Sequence, residues 1–266
     1  MFDKLRQMLR VLKNSDFMKN PNAPQISVVD RKALLVGLIN SEQLVAYCDS
    51  LTTGLPRGRV LQGLSEAWDV HDADEALSTL DWVLNEGHRA IYNQVIPLLE
   101  IGDKKEREEA LITLFNEHYQ QEVKRNDNME EVEAVKGKFE HMMRLGLGFV
   151  ENLTACMRSY GNDTFVAFNN ENIYKGILAW DMGRLVAVSR LAFDAGYIDE
   201  QTAWDYIRKG YQAAIQEYTV WKDMATAYLI GRGAWSGDSV MLGGLYVVAK
   251  NSVEDDKSPW KSIALK

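Results

Sequence analysis

The chain has 266 residues, 46% hydrophobic and 26% charged, which is ample apolar material for a core and excludes a disordered chain. Thirty Lys and Arg stand against 38 Asp and Glu, for a net charge of −8, and no basic patch of useful size is present, so a nucleic-acid partner is not expected. No run of about 18 apolar residues is available to span a bilayer. The two cysteines, Cys48 and Cys156, lack ligand-like spacing and read as free thiols of a cytoplasmic protein.

The opening MFDKLRQMLRVLKNSDF has no secretory apolar stretch. It sets Phe2, Leu5, Met8, Leu9 and Leu12 on one helical face and reads as a terminal helix packing on its own domain, with membrane-surface attachment as the alternative. KNPNAPQISVVD follows as a linker. From Asp30 the period is helical: RKALLVGLI to Asn40, then a helix capped by Ser41 and running through Ser50, then one started by Pro56 through VLQGLSEAW. Asp72 or Asp74 opens EALSTLDWVLNEGHRAIYNQVIPLLE, where Ala76, Leu77, Leu80, Val83 and Leu84 keep the helical period.

DKKEREEALITLFNEHYQQEV turns Leu111, Leu114 and Phe115 inward, and NMEEVEAVKGKFEHMMRLGLGFVENLTACMRSYG gives one long helix or two in line. Beyond Asn170, further helices break at Gly196, near Gly210 to Tyr218, and at Gly231 to Gly237. Only QISVV and FVAF look β-like, and both are short. The expectation is an all-α protein of about ten helices with short connections. An amphipathic helix and linker at 1–29 precede a single helical domain at 30–250 and a tail at 251–266.

Familiar chemistry is missing from the sequence. There is no phosphate loop, dinucleotide fingerprint, HExxH or GxSxG, and no cofactor is implied. The histidines, His71, His88, His118 and His141, are scattered. Adjacent Glu117-His118 and Glu140-His141 point their side chains about 100° apart on a helix, so neither pair suits a shared metal ion. Three Trp-Asp dipeptides, at Trp68, Trp180 and Trp204, do not follow the spacing of propeller blades.

The least ordinary residues lie in WDMGRLVAVSRLAFDAGYIDEQTAW. At about 100° per residue, Asp181 and Arg184 fall among Leu178, Met182 and Leu185 on one side and Ile177, Val188 and Leu191 on the other. Gly183, Ala187, Arg190 and Asp194 form the outward strip, with Arg190 and Asp194 reading as a surface pair worth a few tenths of a kcal/mol. Burying Asp181 or Arg184 alone costs several kcal/mol, so both need partners. They pair with each other at three residues' separation, Trp180 stacks on Arg184, and Arg232, Trp235, His88 and Arg89 are further candidates. Such a network is either a clasp between helices or a pocket for an anion. AGYIDEQTAW is read as a left-handed cap at Gly196 followed by an N-cap at Asp199, and Ser236-Gly237-Asp238 as a turn and cap.

AWDMGRLVAVSRLAFDAGYIDEQTAW, then YTVWKDMATAYLIGRGAW, resembles the C-terminal pattern of the bacterial domain-of-unknown-function family 1266. That pattern joins an Ala-Trp-Asp-x-x-Arg helix, a Gly-Tyr-Ile turn and a segment ending in Tyr-Leu-x-Gly-Arg. GLSEAWDVHDADEALSTLDWVLNEGHR is similar to the family's upstream half, and the likeness spans Leu61 to Trp235. Val220 stands where the family usually has Ser before Trp221. The resemblance implies a shared Asp181 and Arg184 pattern but no activity.

These readings converge on a non-enzymatic binding protein for a protein partner or a small anionic ligand. Its contact residues are Trp180, Asp181, Arg184, Trp221, Arg232, Trp235, His88 and Arg89. The alternative is an enzyme with Asp181 or His88 as acid or base and Arg184 or Arg232 holding an anion.

Overall fold

The computed structural model describes residues 16–125 and 128–266, without the side chains at 117, 118, 121, 129 and 130. The expected N-terminal helix at 2–13 and the Glu117-His118 side chains lie outside these residues. The fold is all-α, and no strand occurs among the described residues. Helices α1 (Val28–Leu35), α2 (Leu38–Leu44), α3 (Arg57–Trp68), α4 (Ala73–Asn85) and α5 (Gly87–Val95) lead through a 3₁₀ turn (Ile96–Glu100) to α6 (Lys104–Arg125) and α7 (Met129–Tyr160). After the short α8 (Asn170–Ile173) come α9 (Leu178–Ala195), α10 (Glu200–Glu217), α11 (Trp221–Ser236), α12 (Val240–Glu254) and α13 (Pro259–Ser262).

Side-chain caps place many of these starts. Ser27 accepts from Asp30 N–H, Asp72 from Glu75 N–H, Asp199 from Thr202 N–H and Ser239 from Leu242 N–H, each satisfying an amide that the first turn leaves open. Gly196 ends α9 at φ 79°, as its position in the sequence indicates.

Several boundaries differ from the sequence-based expectation. Ser41 does not start a helix: α2 runs through it, and its hydroxyl bonds back to Gly37 O. Val45 takes a left-handed conformation, and residues 46–56 form an irregular loop. The stretch after Asp72 is two helices, because Gly87 at φ 57° breaks it into α4 and α5. Helix α10 continues through Gly210 and α11 through Gly231, since both glycines face neighbouring helices rather than turns. Leu111 and Phe115 are buried as expected, whereas Leu114 and Leu77 are exposed.

Helix α9 is the axle of the fold. It packs against α10, α11, α4, α3, α2 and α5, so its side chains are buried around almost the whole circumference. The C-terminal residues belong to the same core rather than forming a tail. Trp260 stacks on Trp221 at 4.8 Å and donates to Leu35 O, and Leu265 is buried with its carbonyl held by the Tyr211 hydroxyl. None of the helices, among the described residues, is long and apolar enough to cross a membrane.

Candidate functional site

Asp181 sits one turn into α9 with its carboxylate fully enclosed. It faces the start of α5, which has no side-chain cap of its own. The carboxylate supplies that cap, accepting His88 N–H at 3.2 Å and Arg89 N–H at 3.0 Å. Arg89 Nη1 donates to Asp181 at 3.0 Å and to Val83 O at 2.8 Å, and Nη2 donates to Leu84 O at 2.6 Å. Two side chains thus join the carbonyl end of α4 to the amide end of α5. Gly87 makes the approach possible, because a Cβ there would collide with the Asp181 carboxylate. Arg184 Nη2 adds a further donor. A carboxylate has about four lone-pair sites, and Asp181 has four donors, so it has no capacity left for a substrate proton.

Arg184 lies between two indoles, 5.2 Å from the Trp68 ring and 4.7 Å from the Trp180 ring, with Nε donating to Trp180 O. Helix α11 crosses close by. Gly231 meets the Trp180 side chain and Gly183 meets Tyr228 and Asn40, in each case with no room for a Cβ. This close crossing sets Arg232 5.8 Å from the Trp180 ring and near enough to Arg184 for the two charges to repel. Burial is the main cause lowering both guanidinium pKa values; for Arg184 the nearby Asp181 opposes it. Guanidinium nevertheless stays charged in proteins.

The polar atoms around Arg232 lack partners. Among the described residues its guanidinium forms no ion pair or hydrogen bond, and its Nε is sealed from solvent. Trp180 Nε1 and His88 Nδ1 are likewise buried without a hydrogen bond, and the buried Tyr228 hydroxyl and Asn40 side chain have no neighbour to pair with but each other. Buried polar groups are overwhelmingly paired in folded proteins, so three orphans, Arg232 Nε, Trp180 Nε1 and His88 Nδ1, around one pair of arginines are a departure from ordinary core packing. Burial pushes the Tyr228 hydroxyl up to about 12, so at neutral pH it remains a donor.

His88 packs against Trp235 at 4.6 Å and Trp82 at 5.1 Å. Burial first, then the Arg184 charge and that of His141, lowers its pKa to about 3, leaving the ring neutral at pH 7. Tyr228, Arg232 and Trp235 share one face of α11 by their helical spacing. Along that face exposure rises from 1% at Tyr228 to 45% at Trp235, so the cluster opens outward beside Trp235.

A model of the family described as protein of unknown function DUF1266 matches residues 63–265. The chain belongs to the DUF1266 family. Within this DUF1266 match fall Trp68, His88, Arg89, Trp180, Asp181, Arg184, Tyr228, Arg232 and Trp235, and Asn40 alone of the cluster lies outside it. No curated protein and no solved structure matches the chain.

Of the residues singled out in this DUF1266 sequence, seven come together: Trp180, Asp181, Arg184, Arg232, Trp235, His88 and Arg89. Trp221 does not join them. It begins α11, about 16 Å along the helix from Arg232, and its indole N–H is held by Ile263 O. Trp68, Tyr228 and Asn40 were missed. Tyr228 was legible as the residue four before Arg232, whereas Asn40 comes from distant α2 with no sequence signal. Val220 is the N-cap of α11 and forms no side-chain cap bond. A serine at this place would serve as that cap.

The expected surface pair Arg190 and Asp194 is also corrected. Arg190 is 2% exposed and donates to Leu51, Tyr47 and Thr52 carbonyls and to the Ser41 hydroxyl. Asp194 accepts the amide and hydroxyl of Thr53. The irregular loop after α2 wraps this side of α9, and the outward strip inferred from helix periodicity is therefore covered. Among the described residues no group of three or more His, Cys, Asp and Glu is placed to hold a metal ion.

Proposed function

We propose that this protein is a binding protein for a small anion, held between Arg184 and Arg232. The observation that carries this reading is Arg232, a half-buried guanidinium whose Nε is sealed from solvent with no acceptor. Leaving that sealed donor without an acceptor costs about 1–3 kcal/mol. Arg184 cannot share its counter-charge, because Asp181 already serves Arg89 and two backbone amides. Trp180 N–H and Tyr228 O–H stand ready as neutral donors beside the two cations. The saturation of Asp181 counts against an acid or base role there, so an enzymatic reading would rest on His88.

The test is thermal unfolding of the whole chain in a panel of phosphate, sulfate and carboxylates, beside Arg232→Met. A ligand at about 100 times its dissociation constant stabilises by about 2.7 kcal/mol, a readily measured shift in midpoint. The expected result is a midpoint raised by at least one anion in the native chain and unmoved in a folded Arg232→Met. A panel that raises no midpoint, or a variant that responds like the native chain, refutes the reading.

A further inference from the structure

Charge separates one class of anion from another at this site. Arg89 and Arg184 share the single carboxylate of Asp181 and Arg232 beside them meets none, while the His88 ring between Trp82 and Trp235 is neutral. No carboxylate acts on Arg232, which meets the Tyr228 hydroxyl and the Arg184 charge, and Asp181 is the one carboxylate acting on Arg184. Three cations against one anion leave two positive charges unmatched. A monocarboxylate would match one of them and leave the other in poorly solvated surroundings. A dianion matches both. A phosphate monoester carries close to two negative charges at pH 7 and presents three acceptor oxygens.

The donors suit such a group. Arg232 offers its whole guanidinium edge, since none of its N–H groups is taken by a described residue. Arg184 uses Nε on Trp180 O and Nη2 on Asp181, and no described acceptor takes Nη1. Trp180 and Tyr228, 5% and 1% exposed, add an indole N–H and a hydroxyl hydrogen, neither of which has an acceptor, the Asn40 amide reaching only the Tyr228 oxygen. The face of α11 bearing Tyr228 and Arg232 reaches solvent at Trp235, whose ring packs on His88. Anything attached to the anion leaves along these rings, where a flat organic group gains stacking contact.

We infer, resting on the anion-binding reading above, that the ligand is a phosphate monoester, its dianionic group between Arg184 and Arg232 and its organic part against Trp235. Isothermal titration of the whole chain at pH about 7.5, above the second phosphate pKa, tests this with four probes. Phenyl phosphate is the dianion with a ring, inorganic phosphate the dianion without one, and methyl phenyl phosphate and benzoate the ring-bearing monoanions. Phenyl phosphate is expected to bind about tenfold or more tightly than either monoanion, the effect of one unmatched charge at a poorly solvated site. Inorganic phosphate is expected to fall between them. Arg232→Met should abolish binding of all four probes, and Trp235→Ala should reduce phenyl phosphate to the level of inorganic phosphate while leaving the latter unchanged. A monoanion binding as tightly as phenyl phosphate overturns the dianion assignment and leaves anion binding standing. Phenyl phosphate that keeps its advantage in Trp235→Ala overturns the path past Trp235. No binding of any probe removes both this inference and the reading it rests on.

Discussion

Arg184 and Arg190 lie on one helix, both buried, and they differ in what they touch. Arg190 reaches three loop carbonyls and a serine hydroxyl, and burial lowers its pKa to about 10 while Asp194 counters the fall. Its guanidinium replaces the hydrogen bonds that the irregular loop at 46–56 cannot make for itself. Arg184 shares one crowded carboxylate with Arg89, and its neighbour Arg232 has no acceptor at all. Burial of a cation therefore says little about function. The acceptors around it separate a clasp from a site, and the Asp181 cluster contains both: a clasp on its Arg89 side and an open set of donors on its Arg232 side.

The largest expected effect sharpens this contrast. Arg190→Met leaves the Leu51 and Tyr47 carbonyls without their side-chain donor, and Thr52 O with the Ser50 hydroxyl alone, and is expected to cost about 3–5 kcal/mol in urea unfolding. Arg232→Met removes a charge that nothing in the protein compensates, so its stability should match or exceed that of the native chain. Equal losses in the two variants would erase the distinction.

Gly87→Ala probes the clasp side. The new Cβ would strike the Asp181 carboxylate at a backbone conformation that L side chains rarely adopt. Strain and the displaced carboxylate together should cost about 3 kcal/mol. A loss below about 1 kcal/mol in the same unfolding assay would mean that α5 starts without Asp181.

Glu42, next to Ser41 at the Arg190 clasp, adds a pH dependence. Burial foremost raises its pKa from 4.5 to about 7, against the amide of Phe17 that favours the charged form. The fold thus prefers the neutral acid. That contribution is complete below about pH 4.5 and is lost as pH rises through about 7. Glu42→Gln should leave stability unchanged at pH near 4 and raise it at pH 8, by up to about 3 kcal/mol. A gain that is the same at both pH values would show that charge at Glu42 is not its cause.

The Asp181 and Arg184 pair was legible because helical geometry alone set both among large apolar groups and within reach of each other. Trp180 followed from its place one turn before Arg184. Arg190 was misjudged for the converse reason: a helix buried on nearly every side has no outward strip, and one helix's periodicity carries no record of a loop wrapping it. The break at Gly87 was hidden because its apolar period continues through it, and only the carboxylate arriving from α9 shows why a glycine belongs there. Asn40 reaches the cluster by tertiary packing, which no local pattern encodes.

The smallest expected effect separates stability from binding on the helix that carries Arg232. Val220 has the extended backbone of an N-cap, φ −130° and ψ 153°, but its side chain accepts no amide, and it is 49% exposed. Serine there would accept an amide of the first turn without disturbing the core, and Asp223 three residues on already favours that end of the helix. Val220→Ser is therefore expected to stabilise by about 1 kcal/mol and to leave every anion affinity unchanged, because the cluster lies about two to four turns further along α11. A variant that gained stability and lost anion binding would mean that the start of α11 is coupled to Arg232. The contrast between clasp and site would then have to be drawn along the helix rather than between its faces.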